Sequence, residues 1–193
     1  MNTEPFEILT GVGDLYIAPL STAFPAVNAV PGASWRHLGY TQDGVTIKKT
    51  QKINQVMVDQ ETGPVKASRS EETLTVETTL AEMTLSNLAD YLGGTVTTTA
   101  AGSGVIGEKE IGLYAGADVK NFAILFRGKS AYGDYPAQYE IPVAYFDGDV
   151  EMKADKSDNT KLKVVFQALV DQNAVSASEK FGRLVMQTAE ATA

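Results

Sequence analysis

Apolar and polar residues alternate along most of this chain, and where the alternation stops the period usually becomes helical or is lost. From Glu72 to Thr79 it is clearest: Leu74 and Val76 share one face, and Thr73, Thr75, Glu77 and Thr79 the other, the period of a half-buried strand. The period then lengthens. Ala81, Leu85, Leu88 and Leu92 follow at helical spacing, and Thr79 with Glu82 three residues later has the form of a capping box. This predicts a helix from about Leu80 to Leu92, ended by Gly93 and Gly94 where positive φ is wanted, with Asp90 mildly opposing the helix dipole. So short an amphipathic helix needs a sheet to lie against.

The rest of the chain reads mostly as strands. Gly11 to Pro19 predicts a first strand, carrying Val12, Leu15, Tyr16 and Ile17 and ended by proline, and Leu20 to Ser34 is a Pro/Ala-rich connection without periodicity. Trp35 to Tyr40 and Gly44 to Gln51 read as two strands, with Val45 and Ile47 inward and Asp43-Gly44 as the hairpin turn between them. Lys52 to Ser70 is polar and loosely β-like, a long loop or hairpin arm between two convincing strands; a hairpin lengthened this far usually has a job. Thr95 to Lys109 predicts a mobile loop or short hairpin. Val119 to Arg127, apolar on both faces, predicts a central strand, and Gly128 to Ala137 a loop. Gln138 to Asp147 alternates with Tyr139, Ile141, Val143 and Tyr145 on one face, and Pro142 restricts it to an edge or a bulge. Asp147-Gly148 turns into a strand from Val150 to Ala154, and Lys161 to Val170 puts Leu162, Val164, Phe166 and Ala168 on one face. The tail from about Asp171 is ambiguous. Many short strands and one flanking helix predict a mainly β fold, a β-sandwich or distorted barrel of antiparallel strands, in a single domain over residues 1–193.

Composition narrows the function classes. The 193 residues include no cysteine and one histidine, His37, so thiolate and imidazole-rich metal sites are excluded within one chain and a His-based catalytic centre would rest on that residue alone. No basic segment leads an apolar run at the N-terminus and no apolar stretch is long enough to span a membrane, so a soluble protein without an export signal is expected. A net charge of −8 argues against gripping nucleic acid by counterion release.

The short motifs weigh little. Gly102, Gly104 and Gly107 satisfy GxGxxG but lack the preceding strand and following helix that would place a pyrophosphate. Asp155, Asp158 and Asn159 lack the glycine and distal glutamate of a calcium loop. Lys48, Lys49 and Lys52, with Lys66 and Arg69 at the far end of the long loop, form the densest basic patch; without interleaved aromatics it suits an acidic neighbouring copy better than nucleic acid. No catalytic, cofactor-binding or metal-binding residue is assigned, no cofactor is expected, and no enzyme activity.

As a set, GVGDLYIAPLSTAFP, WRHLGYTQDGVTI and VDQETGPVKASRSEETLTVETTLAEMTLSNLA resemble the major tail (tail tube) proteins of long-tailed bacteriophages, over most of the chain. The resemblance implies a β-sandwich with a flanking helix, six copies closing into a ring with a continuous inner barrel, and rings stacking into the conduit through which DNA is ejected. It leaves no room here for the immunoglobulin-like domain that some members carry. It implies self-association as the main partnership, contacts with other tail proteins (tape measure, terminator, tail tip), double-stranded DNA passing without specific binding, no membrane, and a place in the virion after synthesis in the host bacterial cytoplasm. Two site expectations follow. Thr73, Thr75 and Glu77 line the lumen, where an acidic bias from six copies would let DNA slide; and the segment holding Lys52, Ile53, Val56, Met57, Val58, Asp59, Gly63, Pro64, Val65, Lys66 and Arg69 reaches between rings, ordering only when they stack. Two other readings stay open: a non-catalytic β-sandwich binding module, for carbohydrate for example, and the tube protein of a bacterial secretion system.

Overall fold

In the computed structural model, residues 13–82, 84–132, 134–149 and 161–191 are described. The strands are β1 (Asp14–Pro19), β2 (Arg36–His37), β3 (Thr41–Val56), β4 (Lys66–Leu80), β5 (Thr97–Thr99), β6 (Glu108–Glu110), β7 (Asn121–Lys129), β8 (Pro136–Phe146), β9 (Leu162–Ala168) and β10 (Arg183–Met186); one helix, α1 (Leu85–Leu92), follows β4. Eight strands form one antiparallel sheet in the order β2-β1-β7-β8-β9-β4-β3, with β10 added beside β8, and β5 and β6 pair separately. Strands far apart in that order share one core. Leu15 and Ile17 of β1, Ile124 of β7, Val76 and Leu80 of β4, and Val164 and Phe166 of β9 belong to a single buried cluster. The sheet therefore curls until its two halves face each other, a mainly β, sandwich-like fold with one flanking helix.

The curl is produced at β8. Its first half pairs with β10 on one side (Ala137 to Glu140), its last residues with β9 (Ala144 to Phe146), and β7 runs along the other side throughout. Pro142 lies at the handover, where the β7–β8 register slips, so it marks a bulge in a central strand and not an edge. The extra residue changes the parity. Ile141 points into the core, but Ala144 and Phe146 take over from there, in place of the expected Val143 and Tyr145.

Two local readings of turn chemistry are overturned by the ladder. Asp43 and Gly44 both have positive φ, 64° and 78°, but sit inside β3 as a bulge opposite the Thr78–Thr79 step, and Thr78 Oγ1 donates to the Gly44 carbonyl at 2.7 Å. The expected strand from Trp35 to Tyr40 shrinks accordingly to β2, which pairs with β1. The helix also starts later than expected, because β4 continues to Leu80, whose side chain is fully buried between Thr41 and Leu162. Burial of Val76, Thr78 and Leu80 in register outweighs a capping box at Thr79 and Glu82. Thr84 is the N-cap instead, its hydroxyl accepting from the Asn87 amide at 3.1 Å, and Gly93 closes the helix with φ 68° as expected.

Of the expected stripe only Leu88 is buried; Asn87 and Ala89 are the other buried residues of α1. Asn87 donates to the Leu38 carbonyl at 3.0 Å, and its carbonyl oxygen accepts from Arg36 at 2.5 Å. Polar bonds thus pin the helix to the β1–β2 edge. The aperiodic Leu20 to Ser34 segment is held the same way: its carbonyls accept from Trp35 (3.1 Å), Arg127 (2.6 Å) and Gln138 (2.8 Å), and Phe24 and Trp35 cover the outer side of Ala123 and Leu125. Thr95 to Lys109 contributes the short β5–β6 hairpin, with Gly102 and Gly104 in its turn. The ambiguous tail supplies a 3-10 turn at Ala177–Glu179 and then β10. Gly11, Val12, the strand from Val150 to Ala154, and Asp155, Asp158 and Asn159 lie outside the described residues.

Candidate assembly surface

Beyond the core, β3 and β4 continue as a two-stranded arm. The pairing runs from Thr41↔Leu80 to Val56↔Lys66, and every residue from 48 to 71 is exposed. Lys52, Ile53 and Val56 lie in β3 and Lys66 and Arg69 in β4; Met57, Val58, Asp59, Gly63, Pro64 and Val65 form the tip. The segment, expected as a long loop or hairpin arm of loosely β-like character, is a ladder along both flanks, and only 57–65 is a connection. A two-sided polar ladder carries no core pattern, which is why the alternation rule passes over it.

Cross-strand side chains hold the arm at its base. Glu72 takes Lys49 at 3.1 Å and Arg69 at 2.5 Å, Arg69 also donates to Gln51 at 2.8 Å, and Thr50 meets the Thr73 hydroxyl. The hydrogen bond from Lys49, then the charges of Arg69 and Lys49, hold the Glu72 carboxyl below its usual range. Ser70 is an extra residue in β4, opposite the Lys52–Ile53 step, with its hydroxyl 3.3 Å from the Lys52 carbonyl. That bulge twists the outer arm relative to its base. At the tip Val56, Met57, Val58 and Val65 are exposed, Met57 at 58%. Apolar side chains gathered at the end of a projection bury nothing in their own subunit.

The register also sorts the basic patch. Lys49 and its partner Leu74 share the face of Ile47, whereas Lys48 and Lys52 lie on the opposite face with Thr73, Thr75 and Glu77. That outer face of β3, β4 and β9 is open, while the outer face of β1 and β7 is roofed by Phe24 and Trp35. Thr73, Thr75 and Glu77 are thus outside the core; Glu77 is paired with Lys163 at 2.6 Å and Thr75 donates to the Lys48 carbonyl at 3.4 Å. Among the described residues Lys48, Lys52 and Lys163 stand on this face with Glu71 and Glu77, while Glu108, Glu110, Asp147 and Asp149 lie outside these strands.

Asp14, Arg36, His37, Glu82 and Lys109 line one open cleft beside β2 and the start of α1. His37 lies on the β2 edge, its Nδ1 accepting from the Gly39 amide at 3.0 Å and its Nε2 facing Asp14 at 3.2 Å. Among the described residues no three His, Asp or Glu side chains are grouped as metal ligands, and no helix is long and apolar enough to cross a membrane. The sequence reading missed the buried pair Gln138 and Glu140 and its exposed partner Arg183: Glu140 is 3% exposed, takes Arg183 Nε at 2.6 Å and Gln138 Nε2 at 2.6 Å, and ties β10 to β8. Its only sequence signal is polar residues in an otherwise apolar strand.

A family model described as "Phage tail tube protein" matches residues 1–179. No curated protein matches. Among solved structures, the tail of an empty GTA particle, computed by helical refinement with C6 symmetry, aligns at 5% sequence identity with a TM-score of 0.41, over 96% of this chain and 99% of that one.

Proposed function

The chain belongs to the phage tail tube protein family, and from that premise we propose that its copies close into rings, six to a ring, and that the rings stack into the conduit for DNA ejection. It is a structural component of a virion tail. The observation that carries the finer reading is the arm: an ordered ladder with an apolar end and no buried residue from 48 to 71 is built to be covered by another copy. The sheet supports ring closure. Of its free edges β2 is two residues long, β10 four and β3 sixteen, and an unprotected edge of that last length is an aggregation hazard unless a neighbour pairs with it. Cyclic heterologous contact removes such edges.

The open face bearing Thr73, Thr75 and Glu77 then lines the conduit. Threonine hydroxyls and nearly balanced charge, with Glu77 on Lys163 and Glu71 opposite Lys52, offer few cations to phosphate, so DNA passes without being held. Tape measure, terminator and tail-tip proteins are the expected end partners, and the protein works without catalysis or cofactor. Assembly follows synthesis in the host cytoplasm.

Electron microscopy of the purified protein tests this directly. Rings or hollow tubes are expected, and a monodisperse monomer at all concentrations would sink the reading. A variant in which an Asn-Gly turn replaces Lys52 to Ser70 should keep its circular dichroism and lose polymer; tubes of normal length from it would remove the arm's role.

A further inference from the structure

We infer that the arm tip of one copy seats in a specific pocket on the next, at the C-terminal end of β1. The inference rests on the tail tube reading and adds the acceptor surface. The pocket has a volume of about 590 Å³, an apolar floor of Ile17, Pro19, Leu20 and Phe122, and a rim of Arg36 and Lys120. Leu20 is 43% exposed there. Both rim cations turn to one carboxylate: Asp90 is paired with Arg36 and, at 3.2 Å, with Lys120, whose ammonium also stands 5.0 Å over the Phe122 ring. One charge cannot neutralise two, so the rim is left positive.

The tip is complementary on both counts. Val56, Met57, Val58 and Val65 supply apolar side chains, and Asp59 and Glu61 supply carboxylates that form no ion pair among the described residues. Its own subunit does not use the match: every tip residue from 57 to 65 is exposed, and Leu20 in the pocket is exposed as well. A knob and a socket on different surfaces make a heterologous contact. Such a contact is not satisfied by pairing two copies; each added copy presents a new free tip, so it propagates. Every copy brings one arm and one pocket, which supplies the occupant in equal number.

The absence of cysteine allows a clean test. Met57→Cys and Leu20→Cys, both at exposed positions, are each doped at about one part in ten into wild-type protein, singly and together, and the polymer is oxidised. Doping lets the wild-type copies drive assembly whatever the variants do alone. Covalent dimers are expected from the mixture and not from either variant by itself. Wild-type tubes with no dimer from the mixture, or with equal dimer from Met57→Cys alone, would place the tip elsewhere and overturn the inference while leaving the tube intact. A wild-type protein that makes no tubes would overturn the tail tube reading itself. As a second measurement, Lys120→Glu should raise the concentration needed for polymer about tenfold, and Asp59→Lys with Glu61→Lys in the same chain should recover most of that loss. No recovery would count against the pocket.

Discussion

Strand β7 and the outer arm of β3 and β4 are both antiparallel ladders, and they differ in what lies on their faces. Phe122, Ala123, Ile124 and Leu125 are buried in succession, the even positions in the main core and the odd ones under Phe24 and Trp35. From 48 to 71 the arm has no buried residue at all. One ladder is held by apolar area removed from water, at roughly 25 cal/mol per Å²; the other is held by cross-strand pairs contributing about 0.2–1 kcal/mol each. A two-stranded ribbon alone is marginal in water. The subunit's stability therefore resides in the curled sheet, and the arm's apolar residues contribute only when another copy covers them. The comparison predicts that changes in the two regions separate into folding effects and assembly effects.

The largest effect belongs to the core. Phe166 is 1% exposed and stacks on Phe146 at a ring separation of 4.3 Å, so Phe166→Ala should cost about 3–5 kcal/mol in a urea unfolding titration. A cost under about 1 kcal/mol would mean that the two halves of the sheet do not meet across this ring. Next is Gly182, where the chain closes on β8. Its φ is 110°, and a Cβ placed there would lie 1.9 Å from the Glu140 carbonyl oxygen. Gly182→Ala should destabilise by at least about 1–3 kcal/mol through backbone strain alone, and should free the amides of β10 to exchange faster than those of β7. Equal protection in both strands would show β10 to be no weaker than the core.

How much of this was legible follows the same division. Strands with one buried face announced themselves: Leu162, Val164, Phe166 and Ala168 point where their alternation says, and so do Leu74 and Val76. The errors came where a local signal met a stronger register. Asp43-Gly44 has hairpin chemistry and makes a bulge, since a Gly after Asp supplies positive φ for either, and only the distant partner Thr78 decides. Thr79 and Glu82 have capping spacing, yet Leu80 is wanted in the core. Pro142 allowed an edge or a bulge, and neither the choice nor the parity change could be read without knowing that β10 gives way to β9 beside it. Asn87, Glu140 and Gln138 matter through partners 43 to 113 residues away, two of them backbone carbonyls, and neither kind of partner leaves a period. The arm's place in the chain was legible, but the choice between loop and hairpin and the register of its ladder were not, because polar strands exposed on both faces carry no apolar rhythm.

A smaller effect is expected from removing the arm. With Lys52 to Ser70 replaced by an Asn-Gly turn, the free energy of unfolding should change by less than about 1 kcal/mol, as the deleted residues bury nothing and β3 and β4 keep their register from Thr41 to Gln51. Failure to fold would show that the arm holds the sheet edge in place, and the separation of folding from assembly would be lost.

The smallest effect is a pH dependence confined to the arm base. Glu72 is stabilised as a carboxylate by Lys49 first and then by Arg69, so its carboxyl titrates lower in the folded protein than in the unfolded chain. For a lowered carboxyl the linkage runs one way: the contribution is complete above the ordinary glutamate range and disappears as pH falls through the depressed value. Acid should therefore loosen the arm before it loosens the core. Amides of Gln51 and Thr73, beside that ion pair, should lose exchange protection between about pH 4.5 and lower values, whereas those of Ile124 and Leu125 hold. Glu72→Gln should remove this pH dependence and leave the arm at its acid level of protection at neutral pH. The pair is solvent-exposed, so about 0.5 M salt should reproduce part of the loss without acid. If protection at Thr73 is unchanged by acid, by salt and by Glu72→Gln, the ladder is held by its backbone bonds and by the Thr50–Thr73 contact, and the charges at its base serve only to keep the exposed face from pairing with the wrong neighbour.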